Sequence, residues 1–341
     1  MKKTILFILF ILIFLSCVSG PSEAKNNKRP GWLDDINSAY PGEKFLAAVG
    51  EGDTLKEAQG NAAASLATIF KVNVDVESSL QSRYAEYSKN GIVSVSEENI
   101  VTDNITQTTD QTLMNIHYGE TYTDPSGITF AVAYLNRAET GMVYRQAIDS
   151  NAEVVRHLMK RSSEQSDLLR KYAFLDAAFV VAQNNEVLIE QLGIISPPMR
   201  KTLSTGYDLK QLKAQRADTA EMLVFAISID SDSDSRISNI LTDVLTGQGF
   251  STGAKGNLRV QGSVRVEPVD LNNGYDNRKW FLTLNVLDEK GVTVISFEKN
   301  SRSSGVSPSA ADARAYKDME SIIKKDFLMK LDGYFDGFIE K

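Results

Sequence analysis

The sequence predicts an α+β protein: an N-terminal β-α-β(β) module, a helical hairpin in the middle, and a C-terminal β-α-β-β-β-α module. Three observations carry this expectation. Strand-like apolar or alternating runs gather at both ends of the chain, in "FLAAV" (45–49) and "VNVDV" (72–76) and again in "LRVQGSVRV" (258–266) and "FLTLNV" (281–286). Between them, Ala138–Leu192 runs without proline and with a single glycine, Gly141, in the 4/3 spacing of helices. Elements of both kinds, segregated along the chain rather than strictly alternating, point to α+β architecture.

The chain opens Met1-Lys2-Lys3, followed by 11 uninterrupted apolar residues, Ile5–Leu15, then Ser16 and Cys17. A bilayer-spanning helix needs about 20 apolar residues, so this run is short for a span. A basic start, a short apolar core and a small residue before a cut point read as a secretory signal peptide, residues 1–16. Cys17 is the only cysteine in 341 residues. A lone thiol in an exported chain is paired between chains, reactive, or chemically used. "FLSC" (14–17) resembles a bacterial lipobox, with Phe14 where leucine is usual; that resemblance implies cleavage before Cys17 and acylation of its sulfur and new amine. Two or more acyl chains hold a membrane firmly, at about 0.8 kcal/mol per buried CH₂. Losing Lys2 and Lys3 takes the net charge from −7 to −9.

Residues 18–30, "VSGPSEAKNNKRP", are small and polar with two prolines, and read as a tether reaching about 43 Å when extended. Val18 stands where many inner-membrane lipoproteins carry aspartate. By likeness to that sorting rule the expected location is the outer membrane, lipid-anchored, on the periplasmic face by default with the cell surface as the alternative.

In the first module, residues 31–137, Phe45–Val49 reads as a strand ending in a Gly50-Glu51-Gly52 turn. Thr54 and Glu57 form a capping box opening a helix. Its predicted buried face is Leu55, Ala58, Ala62, Leu66, Ile69 and Phe70, with small alanines allowing close approach to a sheet. Val72, Val74 and Val76 alternate as a half-buried strand. "GEGDT" at the helix start also suits an anion, but lacks both Walker and dinucleotide glycines. Residues 80–120 fit long strands or a helix equally.

Pro-Gly-Trp (30–32), the strand into "AVGEG", the alanine-spaced helix, "VNVDV" and the Asp-Gly turn of "TDPSGITFAVAYLNRAE" (123–139) together resemble the LPP-twenty (LPP20-like) family of bacterial outer-membrane lipoproteins, over about residues 30–145. The resemblance implies envelope structure or assembly and carries no catalytic residue.

In the middle, 138–200, two amphipathic helices break near "SSEQSD" (162–167) and end before Pro197-Pro198. Val143, Ala147, Val154 and Leu158 mark the core face of the first; Leu168, Tyr172, Leu175, Phe179 and Ala182 mark that of the second. In the third module, 215–341, residues 220–229 read as a strand and Arg236–Gly247 as a helix with Ile237, Ile240, Leu241, Val244 and Leu245 inward. Strands at 258–266, 281–286 and 292–299 follow, the last two joined by a "DEKG" turn. Ser307-Pro308 opens one long helix to about Phe338. This module resembles the small α/β domain of TolB-type proteins and curli-secretion-channel-like lipoproteins. "DSDSDSR" (230–236) places acids like a calcium loop but has Ser235 and Leu241 where an EF-hand needs Gly and Glu; its last Asp or Ser capping the helix is the competing account.

Catalytic chemistry is not indicated. His117 and His157 are too few for a zinc site without thiols. Asp34-Asp35 and Glu97-Glu98 are adjacent rather than opposed, which is not acid–base geometry. Net acidity, with only isolated pairs such as Lys160-Arg161 and Lys324-Lys325, argues against nucleic acid. The expectation is a non-enzymatic envelope lipoprotein with no cofactor and no metal, bound to the membrane through Cys17. Its expected partners are envelope proteins or further copies of itself. The alternative is a lipoprotein holding a small lipid or glycan between its modules, with Trp32 and Trp280 as stacking surface.

Overall fold

A computed structural model describes residues 28–70, 78–93, 105–108 and 111–339. Cys17, the signal segment, most of the tether, "VNVDV" and Glu97-Glu98 lie outside those residues. The chain divides into two compact units, one of Met1–Ile69 with Thr106–Asn136 and one of Phe70–Ile105 with Arg137–Lys341. The helical middle and the C-terminal sheet therefore share a unit.

The first unit is built on an antiparallel sheet. Strand β1 (Phe45–Gly52) leads to helix α1 (Leu55–Thr68). After α2 (Ser78–Lys89), which belongs to the second unit, come β2 (Ile105–Thr108), β3 (Gln111–Met114), β4 (His117–Thr123) and β5 (Thr129–Asn136). The described residues of the undecided stretch 80–120 thus form a helix and short strands. The sheet order is β1-β5-β4, with β2 and β3 forming a separate two-stranded sheet. Ala131, Ala133 and Leu135 of β5 are buried, as are Ala58, Ala62, Ala63 and Leu66 of α1, the helix lying against β1 and β5. On the opposite face Val132 packs with Trp32 and Tyr40. Asp124 closes the β4–β5 turn, its carboxylate accepting from the Ser126 and Ile128 N–H groups at 2.8 and 3.0 Å.

The expected turn at Gly50-Glu51-Gly52 is instead strand: Gly50 pairs with Ala131 and Gly52 with Thr129. The glycine serves helix approach, since a Cβ on Gly50 would sit 2.0 Å from the Ala62 nitrogen and 2.4 Å from the Ala58 carbonyl oxygen. The capping box forms as expected in its first half, Glu57 N–H donating to Thr54 Oγ1 at 3.2 Å, while the Glu57 carboxylate accepts from Asp53 N–H at 3.1 Å. Leu55 and Ile69, expected inward, are exposed, because the buried arc narrows to the alanines nearest the sheet.

In the second unit α3 (Arg137–Ser163) and α4 (Leu168–Ile195) form the hairpin, with the break where the "SSEQSD" segment places it. The α3 core stripe lies one residue on from the expected one: Tyr144, Ile148 and Val155 are fully buried, with Leu158 common to both. Helix α4 is not amphipathic but buried around its circumference from Tyr172 to Ala182, with α2, α3 and α6 packed against it. After Pro197 the chain stays helical, in α5 (Pro197–Lys201) and α6 (Leu209–Met222), so the strand expected from residue 220 begins only at Val224. The helix persists because Asp208 caps it, accepting from Lys210 and Gln211 N–H.

Strand β6 (Val224–Asp230), α7 (Arg236–Gly247), β7 (Ser251–Thr252), β8 (Leu258–Val269), β9 (Asp276–Leu287) and β10 (Thr293–Gly305) complete a sheet ordered β10-β9-β8-β6-β7, followed by α8 (Pro308–Ile322) and α9 (Leu328–Asp336). The expected single final helix is interrupted by a π turn at Ile323–Phe327. The cap of α7 is Asp232, not the last Asp or Ser: its carboxylate accepts from Ile237 and Ser238 N–H at 2.9 and 2.8 Å across a left-handed Asp234-Ser235 pair. Ser307 Oγ caps α8, accepting from Ala310 N–H.

Gly50→Ala forces the α1 backbone away from β1 and is expected to cost about 3 kcal/mol. Gly60→Ala, on the exposed side of the same helix with nothing within 4 Å of the added methyl, is expected to gain about 0.5–1 kcal/mol. Urea unfolding of both variants checks the pair; equal effects would contradict the close-approach account.

Candidate functional site

Helix α4 places one acid, Asp176, in the middle of "YAFLDAAFVVA" (172–182), where it is 1% exposed. An isolated buried carboxylate is untenable without compensation. Two guanidiniums supply it. Arg216 of α6 donates from Nε to Asp176 Oδ1 at 2.5 Å, and Arg83 Nη2 of α2 lies 2.8 Å from Oδ2. Arg83 also donates from Nη2 to Asp336 of α9 at 2.6 Å and to the Tyr87 hydroxyl at 2.9 Å, while Tyr87 donates to Asp336 at 2.5 Å. Arg216 Nη2 donates to the Tyr172 hydroxyl at 3.1 Å. Asp332 lies at the edge of the cluster, 3.9 Å from Arg83 Nη1.

Three carboxylates face two guanidiniums here. Burial pushes the Asp176 carboxyl up, but Arg83 and Arg216 outweigh it and hold the group below the ordinary carboxylate range. Burial likewise opposes the charge on Arg83, and Asp176 with the other acids restores it. Asp332 is the acid in excess: burial, opposed by Arg83 and reinforced by Asp176 and Asp336, pushes it up to about 6. Every member is committed to a neighbour on another element, so the cluster clamps α2, α6 and α9 onto α4 and offers no substrate-facing group.

A cleft of about 660 Å³ opens elsewhere in the same unit, lined by Arg156, Glu186, Arg200, Thr205, Tyr207 and Gln211 among others. Arg156 is tied to the Thr205 carbonyl at 2.6 Å and Arg200 to the Glu190 carboxylate. Buried Asn185 donates to the Tyr207 hydroxyl at 3.1 Å, and burial lifts Tyr207 to about 12. The wall is polar and presents no nucleophile–base pair.

The residues singled out from sequence are scattered. His117 stacks on Tyr134 in the first unit, ring centroids 5.5 Å apart, while His157 is exposed on α3. Trp32 is 6% exposed in the first core; Trp280 is fully buried, its indole N–H donating to Ser303 Oγ at 3.1 Å, which donates to Asp318 at 2.6 Å. Neither is a stacking surface, which corrects that part of the ligand alternative. Asp34 pairs with Arg29 and Asp35 caps a 3₁₀ turn. Lys324 pairs with Glu320, and Arg161 covers the Phe174 ring at 4.7 Å. Among the described residues no three His, Cys, Asp or Glu side chains gather as a metal site. Sequence reading missed the Asp176 cluster; its signal was a lone acid inside an otherwise apolar helix.

Asp332 binds a proton in the folded chain over a pH range where the unfolded chain, with its carboxyl near the ordinary 3.8, has released it. Stability attributable to it is therefore highest near pH 4 and falls as pH rises through about 6. Asp332 keeps 35% side-chain exposure, so its neutral-pH penalty is about 1 kcal/mol rather than the roughly 3 kcal/mol of an unscreened shift. Asp332→Asn is expected to raise the Tm at pH 7 and flatten the pH 4–6 slope, whereas Asp176→Ala, which strands two guanidiniums, costs about 3–5 kcal/mol. Thermal melts across that pH range check both, and opposite signs for the two variants are required.

No curated protein matches the chain in sequence. Among solved structures, the secreted protein HP1454 of Helicobacter pylori aligns over 83% of this chain and 97% of its own at 13% identity, with a TM-score of 0.44. A minor lipoprotein of Acinetobacter baumannii aligns over 34% of this chain and 94% of its own at 11% identity, with a TM-score of 0.25. Residues 30–136, from the Pro-Gly-Trp start to the end of β5, match the LPP20 lipoprotein family.

Proposed function

We propose that this chain is a lipid-anchored bacterial envelope lipoprotein, attached through acylated Cys17 and acting as a non-enzymatic structural, assembly or protein-interaction component. One observation carries the reading: a segment of the LPP20 lipoprotein family begins thirteen residues after "FLSC". The lipobox-like cysteine, the polar tether and the lipoprotein-type module stand in the order anchoring requires. The internal commitment of the Asp176 cluster supports a scaffold reading, because its charged groups are consumed in holding helices together. By the sorting likeness of Val18, the anchor lies in the outer membrane with the folded units on its periplasmic face.

Mass spectrometry of the N-terminal peptide from native membranes tests the anchor. The expected peptide begins at Cys17 and carries diacylglycerol and an acylated amine, and Cys17→Ala abolishes both the modification and membrane retention. An N-terminus at Met1, or cleavage elsewhere, would sink the proposal.

A second reading, small-ligand binding, rests on the cleft beside Arg156 and Arg200. A lipid or glycan seated there would stabilise the folded chain by mass action. Its expected signature is a concentration-dependent rise in Tm that Tyr207→Ala removes; a screen of envelope lipids and glycans without any shift would eliminate it.

A further inference from the structure

The five-stranded sheet ends, among the described residues, at β10, which is hydrogen-bonded to β9 on one side only. This edge strand is 13 residues long, contains no proline, and keeps unbroken register with β9 from Ile295 to Gly305. Ile295, Phe297 and Ser303 are buried on one face, where Lys299 and Ser301 between them are exposed; Ser296, Glu298, Asn300, Arg302 and Ser304 are exposed on the other. The chain's own helices engage two neighbouring points, Lys299 pairing with Asp326 at 2.7 Å and Lys330 donating to the Ser296 carbonyl at 2.8 Å.

Two charges on the exposed face have no match across β9. Glu298 stands opposite Thr283, and Arg302 stands opposite Lys279, which has Glu267 of β8 directly opposite on its other side while Arg302 has no acid opposite it. Like charges directly opposed in a sheet destabilise it. Charged residues on an edge strand ordinarily discourage pairing with another chain. Here, however, the acid and the base are symmetrically placed about Asn300. Antiparallel pairing of β10 with itself around a two-fold axis at Asn300 sets Glu298 of each copy opposite Arg302 of the other. Both unmatched charges are then satisfied twice, and Arg302 gains an anion to offset Lys279.

We propose that β10 is a self-association edge, and that two copies of this chain join β10 to β10 in antiparallel register about Asn300, making one continuous sheet across an isologous dimer. This deepens the interaction reading above by naming the surface and the partner, a second copy of the chain.

Sedimentation of the full chain in detergent tests it. A dimer is expected at micromolar concentration. Glu298→Arg and Arg302→Glu, each placing like charges opposite one another, should weaken it by about tenfold or more. The double swap Glu298→Arg with Arg302→Glu should restore it. Asn300→Cys should form an interchain disulfide on mild oxidation, since paired strands bring the two Cα atoms within disulfide range; the parent chain, with Cys17 alone, is the control. Circular dichroism confirms folding, which these exposed positions should not disturb. A parent chain monomeric at about 100 μM, single variants that dimerise as well as the parent, or a double swap that fails to restore would each overturn the proposal. A monomer still lipidated at Cys17 would remove the dimer and leave the anchor standing; a dimer without lipid would do the reverse.

Discussion

Asp176 is the constraint on which the second unit depends. It sits at the centre of a helix buried on all sides, where an unpaired carboxylate is not tolerable. Its two oxygens therefore dictate where two guanidiniums must be, and so where α2 and α6 must lie. Arg83 in turn requires Asp336, which fixes the end of α9. Hydrophobic packing alone leaves a smooth apolar stretch such as residues 172–182 of α4 free to slide or rotate against its neighbours at modest cost. The ion cluster removes that freedom, because one step of rotation would strand charge in the core. Buried ion pairs are weak evidence for stability but good candidates for enforcing a unique arrangement. The excess carboxylate, Asp332, is the part of this arrangement that costs stability at neutral pH.

The first unit solves its packing problem without charge. Alanines on α1 and Gly50 on β1 bring helix and sheet backbones into direct approach, with Leu66 and Leu135 buried beside them. Larger groups, Trp32, Tyr40 and Phe45 among them, gather on the other face of the sheet. Tyr40 shows how a polar tip is accommodated: burial, with the Glu120 carboxylate accepting its hydroxyl at 2.6 Å, pushes it up to about 12, so it stays a donor. Small-residue contact on one face and aromatic contact on the other leave little tolerance for exchange between them.

What the sequence made legible follows from how local each signal was. Thr54, Ser307-Pro308, the "SSEQSD" break and the span of α7 all depend on residues within a turn of one another, and all are where their local chemistry puts them. The α+β class and the long strands and helices of the last module rest on periodicity and were equally readable, whereas the two-residue edge strand β7 (Ser251–Thr252) is too short to leave a period and was missed. Errors arose where tertiary context decides. Gly50 reads as a turn residue until a helix is laid across it. Val143 and Tyr144 are adjacent, and only the position of α4 selects which one faces inward. Nothing local to Pro197-Pro198 points to α6, whose cap is Asp208. The Asp176 cluster draws on residues up to 253 positions apart, so periodicity could flag the lone acid but not its partners.

A chain with one cysteine, placed ahead of the folded units, has no intrachain disulfide with which to staple them. Its stability must come from close packing and from buried polar groups paired across elements, and both impose a division of labour. Groups used inside, the Arg83–Asp176–Arg216 set and the Trp280–Ser303–Asp318 chain, are engaged with one another across elements. The proposed association draws instead on exposed groups that have no charge partner across β9, Glu298 and Arg302 of the sheet edge. Interior charge is therefore informative about architecture, because each buried member of the Asp176 cluster marks an element it must meet.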